Sequence, residues 1–249
     1  MQTTARTNPR TDVSADISGR IAALDWADIE TSLETHGCAM AGPLLTPDEC
    51  AALSGLYPSD EPFRSRIVMA RHGFGRGEYK YFSYPLPEVI AGLRPSLYGR
   101  LAPVANRWFA QMKMAGAFPE EHAAFLERCH DAGQTRPTPL LLQYGEGDYN
   151  CLHQDLYGET VFPIQVAILL SRPGVDFEGG EFVLVEQRPR MQSRAEVVPL
   201  EQGWGVIFAV SQRPVAGTKG TYRVNMRHGV SRLRSGTRHT LGVIFHDAA

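Results

Sequence analysis

His153 and Asp155 stand two residues apart in LLQYGEGDYNCLHQDLYGE, Leu141 to Glu159, a stretch that otherwise reads as buried β-structure. Side chains at i and i+2 of a strand share a face, so an imidazole and a carboxylate would project together, with Gln154 on the other side. Alone, an HxD pair is a weak signal, and a core histidine beside a surface acid explains it as well. A second constellation adds weight. In RHGVSRLRSGTR, near the C-terminus, His228 lies on a late strand and Arg238 follows ten residues later. Two imidazoles and one carboxylate leave coordination positions open on a metal, as in non-haem Fe(II) centres, whereas a structural zinc site closes its fourth position. A hairpin return through Ser235 and Gly236 would set Arg238 alongside His228, facing the same cavity. A guanidinium at that depth calls for a carboxylate, which its planar fork can hold bidentately.

Strands have to carry these residues, and the second half of the chain supplies them. After GQTRPTP come short runs rich in Val, Ile and Phe: LLLQY, FPIQVAILL, EFVLVEQ, AEVVPL, GWGVIFAV, YRVNMRHGV and RHTLGVIF, separated by turn clusters such as SRPGVDFEGG. Seven or eight short strands predict a mainly β fold, a double-sheet jelly roll or related barrel, with a helical annex outside. The first half reads as helical. Trp26, Ile29 and Leu33 form one stripe that stops at Gly37; Thr46, Pro47 and Glu49 are the N-cap, first-turn proline and acid of a capping box. Leu97, Leu101, Val104, Trp108 and Met112 recur at helical spacing, and PEEHAAFLERCHDAG reads as a helix opened by Pro119 and closed near Gly133. The expected organisation is a single domain: a frayed polar tail over 1–20, a helical region over 21–137, and a β core over 138–249.

A chain of 249 residues with 43% hydrophobic content can bury one sizeable core, and a net charge of −2 gives no global attraction to nucleic acid or anionic membrane. Cys38, Cys50, Cys129 and Cys151 lack CxxC spacing, which points to free thiols. No apolar leader opens the sequence and no run is long enough to span a bilayer, so a cytoplasmic protein without membrane contact is expected. The segment Phe63–Phe82 alternates Arg64, Arg66, Arg71, Arg76 and Lys80 with Phe74, Tyr79 and Tyr81. Such a mixture can stack bases and contact phosphates, or form an ordinary solvated hairpin or lid; at an active-site mouth it would govern substrate choice. His239, next to Arg238, should face away from the cavity, and His246 with Asp247 forms no second triad. FEGGEF is a turn before a strand, with no helix after it to make a phosphate loop.

Taken jointly, HQD followed by HGVSxLxSGTR resembles the double-stranded β-helix core of the 2-oxoglutarate- and Fe(II)-dependent dioxygenases, especially their prolyl 4-hydroxylase-like branch, over roughly residues 138–247. That resemblance implies iron ligation by the catalytic residues His153, Asp155 and His228. It also implies that Arg238 grips the distal carboxylate of 2-oxoglutarate, assisted by Tyr144, nine residues before the first ligand. Arg238 stands where several prolyl hydroxylases carry Lys. The implied cofactors are Fe(II), 2-oxoglutarate as co-substrate and O2, with ascorbate as a candidate reductant. The implied reaction is hydroxylation of an unidentified protein side chain or small molecule, with decarboxylation of 2-oxoglutarate to succinate and CO2. Oxidative demethylation of alkylated nucleic-acid bases is an alternative, and a non-enzymatic or non-iron cupin-type binding module is another. Substrate and oligomeric state are not legible in the sequence.

Overall fold

The computed structural model describes residues 16–156, 158–218 and 220–249. Most of the predicted tail lies outside these residues; of it, residues 16–20 are described. Asp16 accepts from the Gly19 N–H and caps helix α1 (Ile17–Ala22), so the boundary at 20 moves forward. Helix α2 (Trp26–His36) is capped by Asp25 and ends at Gly37, whose φ of 76° is the left-handed stop that glycine adopts without strain. After strand β1 (Cys38–Ala41), α3 (Pro47–Ser54) opens on the expected capping box: Glu49 N donates to Thr46 Oγ1 and Thr46 N to Glu49 Oε2.

Strands β2 (Phe63–Val68), β3 (Gly75–Arg76) and β4 (Glu78–Phe82) follow, then α4 (Glu88–Gln111) and α5 (His122–Asp131). Helix α4 begins well before the predicted Leu97 and runs through Pro95 and Pro103. Its stripe from Ile90 to Trp108 is buried, and that packing overrides the two breaks. Helix α5 starts three residues after Pro119. The rest is strand: β5 (Leu140–Tyr144), β6 (Tyr149–His153), β7 (Ile164–Leu169), β8 (Phe177–Gly179), β9 (Phe182–Gln187), β10 (Arg194–Val198), β11 (Gly205–Ala209), β12 (Gln212–Gly217), β13 (Gly220–Val230), β14 (Leu233–Gly236) and β15 (Arg238–Val243).

All strand pairs are antiparallel. One sheet has the order β1-β11-β7-β15-β5-β4-β2; the other runs β10-β9-β13-β6-β3, with β12 also paired to β13; β8 and β14 form a separate ribbon. This is the expected mainly β, two-sheet architecture with helices outside. Two expectations change. The region 21–137 is not simply helical, because β1 covers the edge of the large sheet beside β11, and β4 with β2 extends its other side beyond β5. Sheet edges left open template unwanted pairing, and these segments close them. Strand β12 was also unforeseen; its Pro214 is tolerated because the strand has a single partner.

A buried cation on α4 helps to fasten the helical annex. Arg94 of α4 donates through Nε to the Ile244 carbonyl at 2.8 Å and through Nη2 to Asp247 Oδ1 at 2.8 Å, and both side chains are buried. Around it, Tyr98 stacks on Phe125 at 5.4 Å and packs on Phe162 at 5.0 Å, tying α4 and α5 to the barrel. As expected, the four cysteines are free, and only Cys151 is exposed. No helix among the described residues is long and apolar enough to cross a membrane.

Candidate active site

Strand β6 ends at His153, which faces His228 of β13 in register, their rings 4.2 Å apart. The two strands bulge beside this pair, and Gly229 makes the approach: a Cβ there would lie 2.6 Å from the Asn150 carbonyl oxygen. Asp155 is not on the strand. The chain leaves the sheet after His153, and a loop delivers the carboxylate, which corrects the expectation of two side chains on one strand face. Gln154 fastens that loop, its Nε2 donating to the carbonyls of Met226 at 2.8 Å and Ser211 at 3.1 Å, two residues from His228 and next to β12. The three sequence-predicted ligands therefore converge: Nε2 of His153 lies 3.3 Å from Asp155 Oδ1, Nε2 of His228 lies 3.3 Å from Oδ2, and all donor atoms fall within 4.8 Å of one another.

The protonation states suit a metal. His153 Nδ1 is 2.8 Å from the Cys151 carbonyl, an acceptor only, so Nδ1 donates and Nε2 keeps its lone pair toward the cluster in the neutral ring. Burial works against ionisation of Asp155, yet hydrogen bonds from the two imidazoles hold it well below the usual carboxylate range. Burial pushes His228 down despite the neighbouring Asp155. For His153 burial acts in the same direction, but the hydrogen bond and charge of Asp155 outweigh it and raise the group. One carboxylate and two imidazoles able to shed their protons are the donor set a divalent ion requires.

Arg238 and Tyr144 meet directly, as register partners on β15 and β5. The expected hairpin beside His228 does not form. Ser235 and Gly236 belong to β14, which pairs with β8, and β15 lies in the sheet opposite β13. Arg238 thus faces the triad from another wall of the same cavity. It is 1% exposed, its guanidinium carbon 5.6 Å from the Tyr144 ring centre and 5.8 Å from that of Phe177. Nη1 donates to Thr240 Oγ1 at 2.5 Å, Nε has no partner, and no carboxylate of the described residues pairs with it. Burial lowers its pKa to about 10. The buried Tyr144 hydroxyl, pushed up by desolvation, makes no hydrogen bond of good geometry, with Asn150 as polar neighbour.

The cavity, about 270 Å³, is walled by both sheets and by Phe74, Tyr79 and Tyr81 from the basic aromatic segment. Much of that segment's charge is already committed. Arg64 lies over the Tyr81 ring at 4.6 Å, Arg66 pairs with Glu78 at 2.5 Å, and buried Lys80 donates to the Tyr57 carbonyl at 2.9 Å and to Asp60 at 2.6 Å. Phe74 stays 43% exposed at the mouth. His239 lies outside the cavity, 3.0 Å from Gln143, while His246 accepts from the Phe162 N–H at 3.3 Å and Asp247 serves Arg94. Sequence reasoning missed Gln154 and Gln165. For Gln165 a signal existed: a lone amide inside the apolar run FPIQVAILL.

Metal and dicarboxylate fit these residues. Among the described residues, Tyr144 Oη, Gln165 Nε2, His228 Nδ1 and Arg238 Nε are buried atoms without a hydrogen-bond partner, and all four residues line this cavity. Buried polar groups are normally satisfied, so such a concentration marks a place where a ligand completes the bonding.

Comparison with known proteins agrees. Residues 77–248 match the family Oxygenase-NA, described as "Oxygenase, catalysing oxidative methylation of damaged DNA". The uncharacterized protein Rv2227 of Mycobacterium tuberculosis H37Rv and its counterpart in strain CDC 1551 / Oshkosh are each 51% identical over 168 residues, 68% of this chain and 72% of theirs. Among solved structures, a Pseudomonas putida prolyl-4-hydroxylase is similar with a TM-score of 0.52 at 15% identity, covering 87% of this chain and 96% of that one. A Burkholderia pseudomallei oxidoreductase of the 2OG-Fe(II) oxygenase family gives 0.52 at 16% identity, covering 90% and 92%. A Trichoplax adhaerens prolyl hydroxylase, solved with a peptide fragment of the hypoxia inducible factor oxygen degradation domain, gives 0.54 at 16% identity, covering 87% and 86%.

Proposed function

The chain belongs to the Oxygenase-NA family and has the double-stranded β-helix fold of the 2OG-Fe(II) oxygenases; from that premise we propose an Fe(II)- and 2-oxoglutarate-dependent dioxygenase acting on alkylated bases in nucleic acid. In this reading His153, Asp155 and His228 hold the metal, and Arg238 with Tyr144 holds the far carboxylate of 2-oxoglutarate. One observation carries it: a buried guanidinium without an acid partner faces two imidazoles and a carboxylate across one cavity.

Bound there, Fe(II) and 2-oxoglutarate would supply the oxidation: with O2, 2-oxoglutarate gives succinate and CO2, and one oxygen atom enters a substrate C–H bond. On an N-methyl group the product is N-hydroxymethyl, which leaves as formaldehyde while the nitrogen regains a proton. The chain's own share is holding and shielding. Asp155 supplies the negative charge, and the Cys151 carbonyl keeps His153 turned with Nε2 toward the ion. Arg238 and Tyr144 donate hydrogen bonds that place the co-substrate. Phe182 and Phe208 pack around His228, with ring centres 6.0 Å and 4.6 Å from it, and keep water from its flank. The nucleic-acid reading draws on the family description and on Phe74, Tyr79 and Tyr81, whose faces suit a flat base turned out of its stack, with exposed Arg71 and Arg76 near Phe74 for phosphate.

The test begins with an anaerobic titration of Fe(II) and 2-oxoglutarate, read by the visible charge-transfer band. Succinate and formaldehyde release is then measured with single-stranded oligonucleotides carrying N-methylated bases and with proline-containing peptides. Formaldehyde from the oligonucleotide is expected. No charge-transfer band would refute the cofactor assignment, and turnover with the peptide alone would refute the substrate class.

A further inference from the structure

Strand β7 is buried along its whole length, and five of its six residues are apolar. The exception is Gln165, 4% exposed, a residue of the cavity wall whose buried Nε2 has no partner. Leaving a buried amide N–H unpaired costs on the order of 1–3 kcal/mol, which an aliphatic side chain would avoid. The amide therefore points to a ligand that accepts from it.

Its place in the sheet identifies which ligand. Along β15 the cavity residues are Arg238, Thr240 and Gly242, at two-residue steps. Gly242 pairs with Ala167 of β7, and Gln165 is the next residue on that face, paired in turn with Phe208 of β11. Phe208 packs on His228, the ring centres 4.6 Å apart. Guanidinium and amide thus stand at opposite ends of one floor, roughly 20 Å apart between their Cα atoms at ~3.3 Å per strand residue. Both side chains shorten that span, and the Arg238 Nη1 bond to Thr240 tilts the guanidinium toward Gln165. Between them lie Gly242 and Ala167, too small to fill the space. A Cβ on Gly242 would lie 2.7 Å from Leu140 Cδ2, so a larger residue there would have to displace that side chain. A short dicarboxylate laid along the floor would end on Arg238 at one side and, on the side of His228, within reach of Gln165.

We infer that Gln165 donates to the 2-oxo-acid carboxylate of the co-substrate, so that both of its ends are held by the protein. This rests on the proposed reading of the site. The alternative recipient is the primary substrate, which enters past Phe74, whereas Gln165 sits on a central strand at the bottom of the cavity.

The test is calorimetric titration of 2-oxoglutarate and of 2-oxobutyrate, which lacks the distal carboxylate, into Mn(II)-loaded protein. Wild type is compared with Gln165→Leu, Gln165→Met and Arg238→Met, after Mn(II) affinity has been measured separately. Both Gln165 variants should bind Mn(II) as wild type does but lose tenfold or more in affinity for both oxo acids, the size of one charge-assisted hydrogen bond. Arg238→Met should lose 2-oxoglutarate and leave 2-oxobutyrate unchanged. Full 2-oxoglutarate affinity in either Gln165 variant overturns the inference while leaving the proposed function intact. A wild-type protein that binds Mn(II) but no 2-oxoglutarate overturns both.

Discussion

Replacing Arg238 by Met separates the co-substrate's needs from those of the fold. Burial takes the guanidinium from 12.5 down to about 10. At 1.36 kcal/mol per tenfold, holding that charge at neutral pH costs the folded state roughly 3 kcal/mol. The sign follows from a base depressed on folding: the penalty is complete below the folded value and disappears only as the pH rises toward the unfolded one. Thr240 offsets little of it, and no carboxylate of the described residues does. Met keeps most of the aliphatic stem against Tyr144 and Phe177 and drops the charge. Ligand-free Arg238→Met should therefore melt above wild type, by roughly 6–12 °C for a chain of this size at about 2–4 °C per kcal/mol. Addition of 2-oxoglutarate with Mn(II) inverts the order of response. At a hundredfold excess over its dissociation constant a ligand stabilises by about 2.7 kcal/mol, which wild type should show and the variant should not. Differential scanning calorimetry of both proteins, with Mn(II) and with or without 2-oxoglutarate, gives all four midpoints. A ligand-free variant that melts below wild type, or one that keeps the 2-oxoglutarate shift, refutes the assignment of Arg238 as a charge waiting for a carboxylate.

Gln154→Leu removes both donors that tie the Asp155 loop to the Met226 and Ser211 carbonyls. Mn(II) affinity, followed by the loss of the free-ion electron paramagnetic resonance signal, should fall 10–100-fold with the circular dichroism spectrum unchanged. Metal binding should strengthen as pH rises through the histidine range, because the proton that Asp155 helps hold on His153 must leave first. Without metal the sign is opposite. Stability contributed by the His153–Asp155 pair is complete below the ordinary imidazole value and is lost as pH rises through the raised one, so metal-free and Mn(II)-loaded melting curves should diverge with increasing pH. Arg94→Leu takes the guanidinium from buried Asp247, leaving it the Tyr84 hydroxyl and His130, and should cost about 3 kcal/mol, seen as a lower urea midpoint; an unchanged midpoint would remove Arg94 as a clamp of the annex.

Where neighbouring residues set the energy, reading along the chain sufficed. The capping box at Thr46, the left-handed stop at Gly37 and the apolar runs of β7, β9, β11 and β15 are local, because capping and alternation involve groups a few residues apart. The short spacings were legible too: His153 with Asp155, and His228 with Arg238, identified a donor set and a cation. Their arrangement was not. Asp155 reaches the triad from a loop that one glutamine holds, and Arg238 crosses to the sheet opposite His228. Segments at the far end of the sequence, β1 and β4, complete the large sheet, and β4 lends its tyrosines to the cavity. Gln165 turns inward only because β7 takes its register from β15 and β11 together. Chemistry was thus written in residue types and short intervals, which local physics reads. Which wall each group stands on was decided by strand pairing between distant segments, and that pairing is chosen by the burial of the whole core.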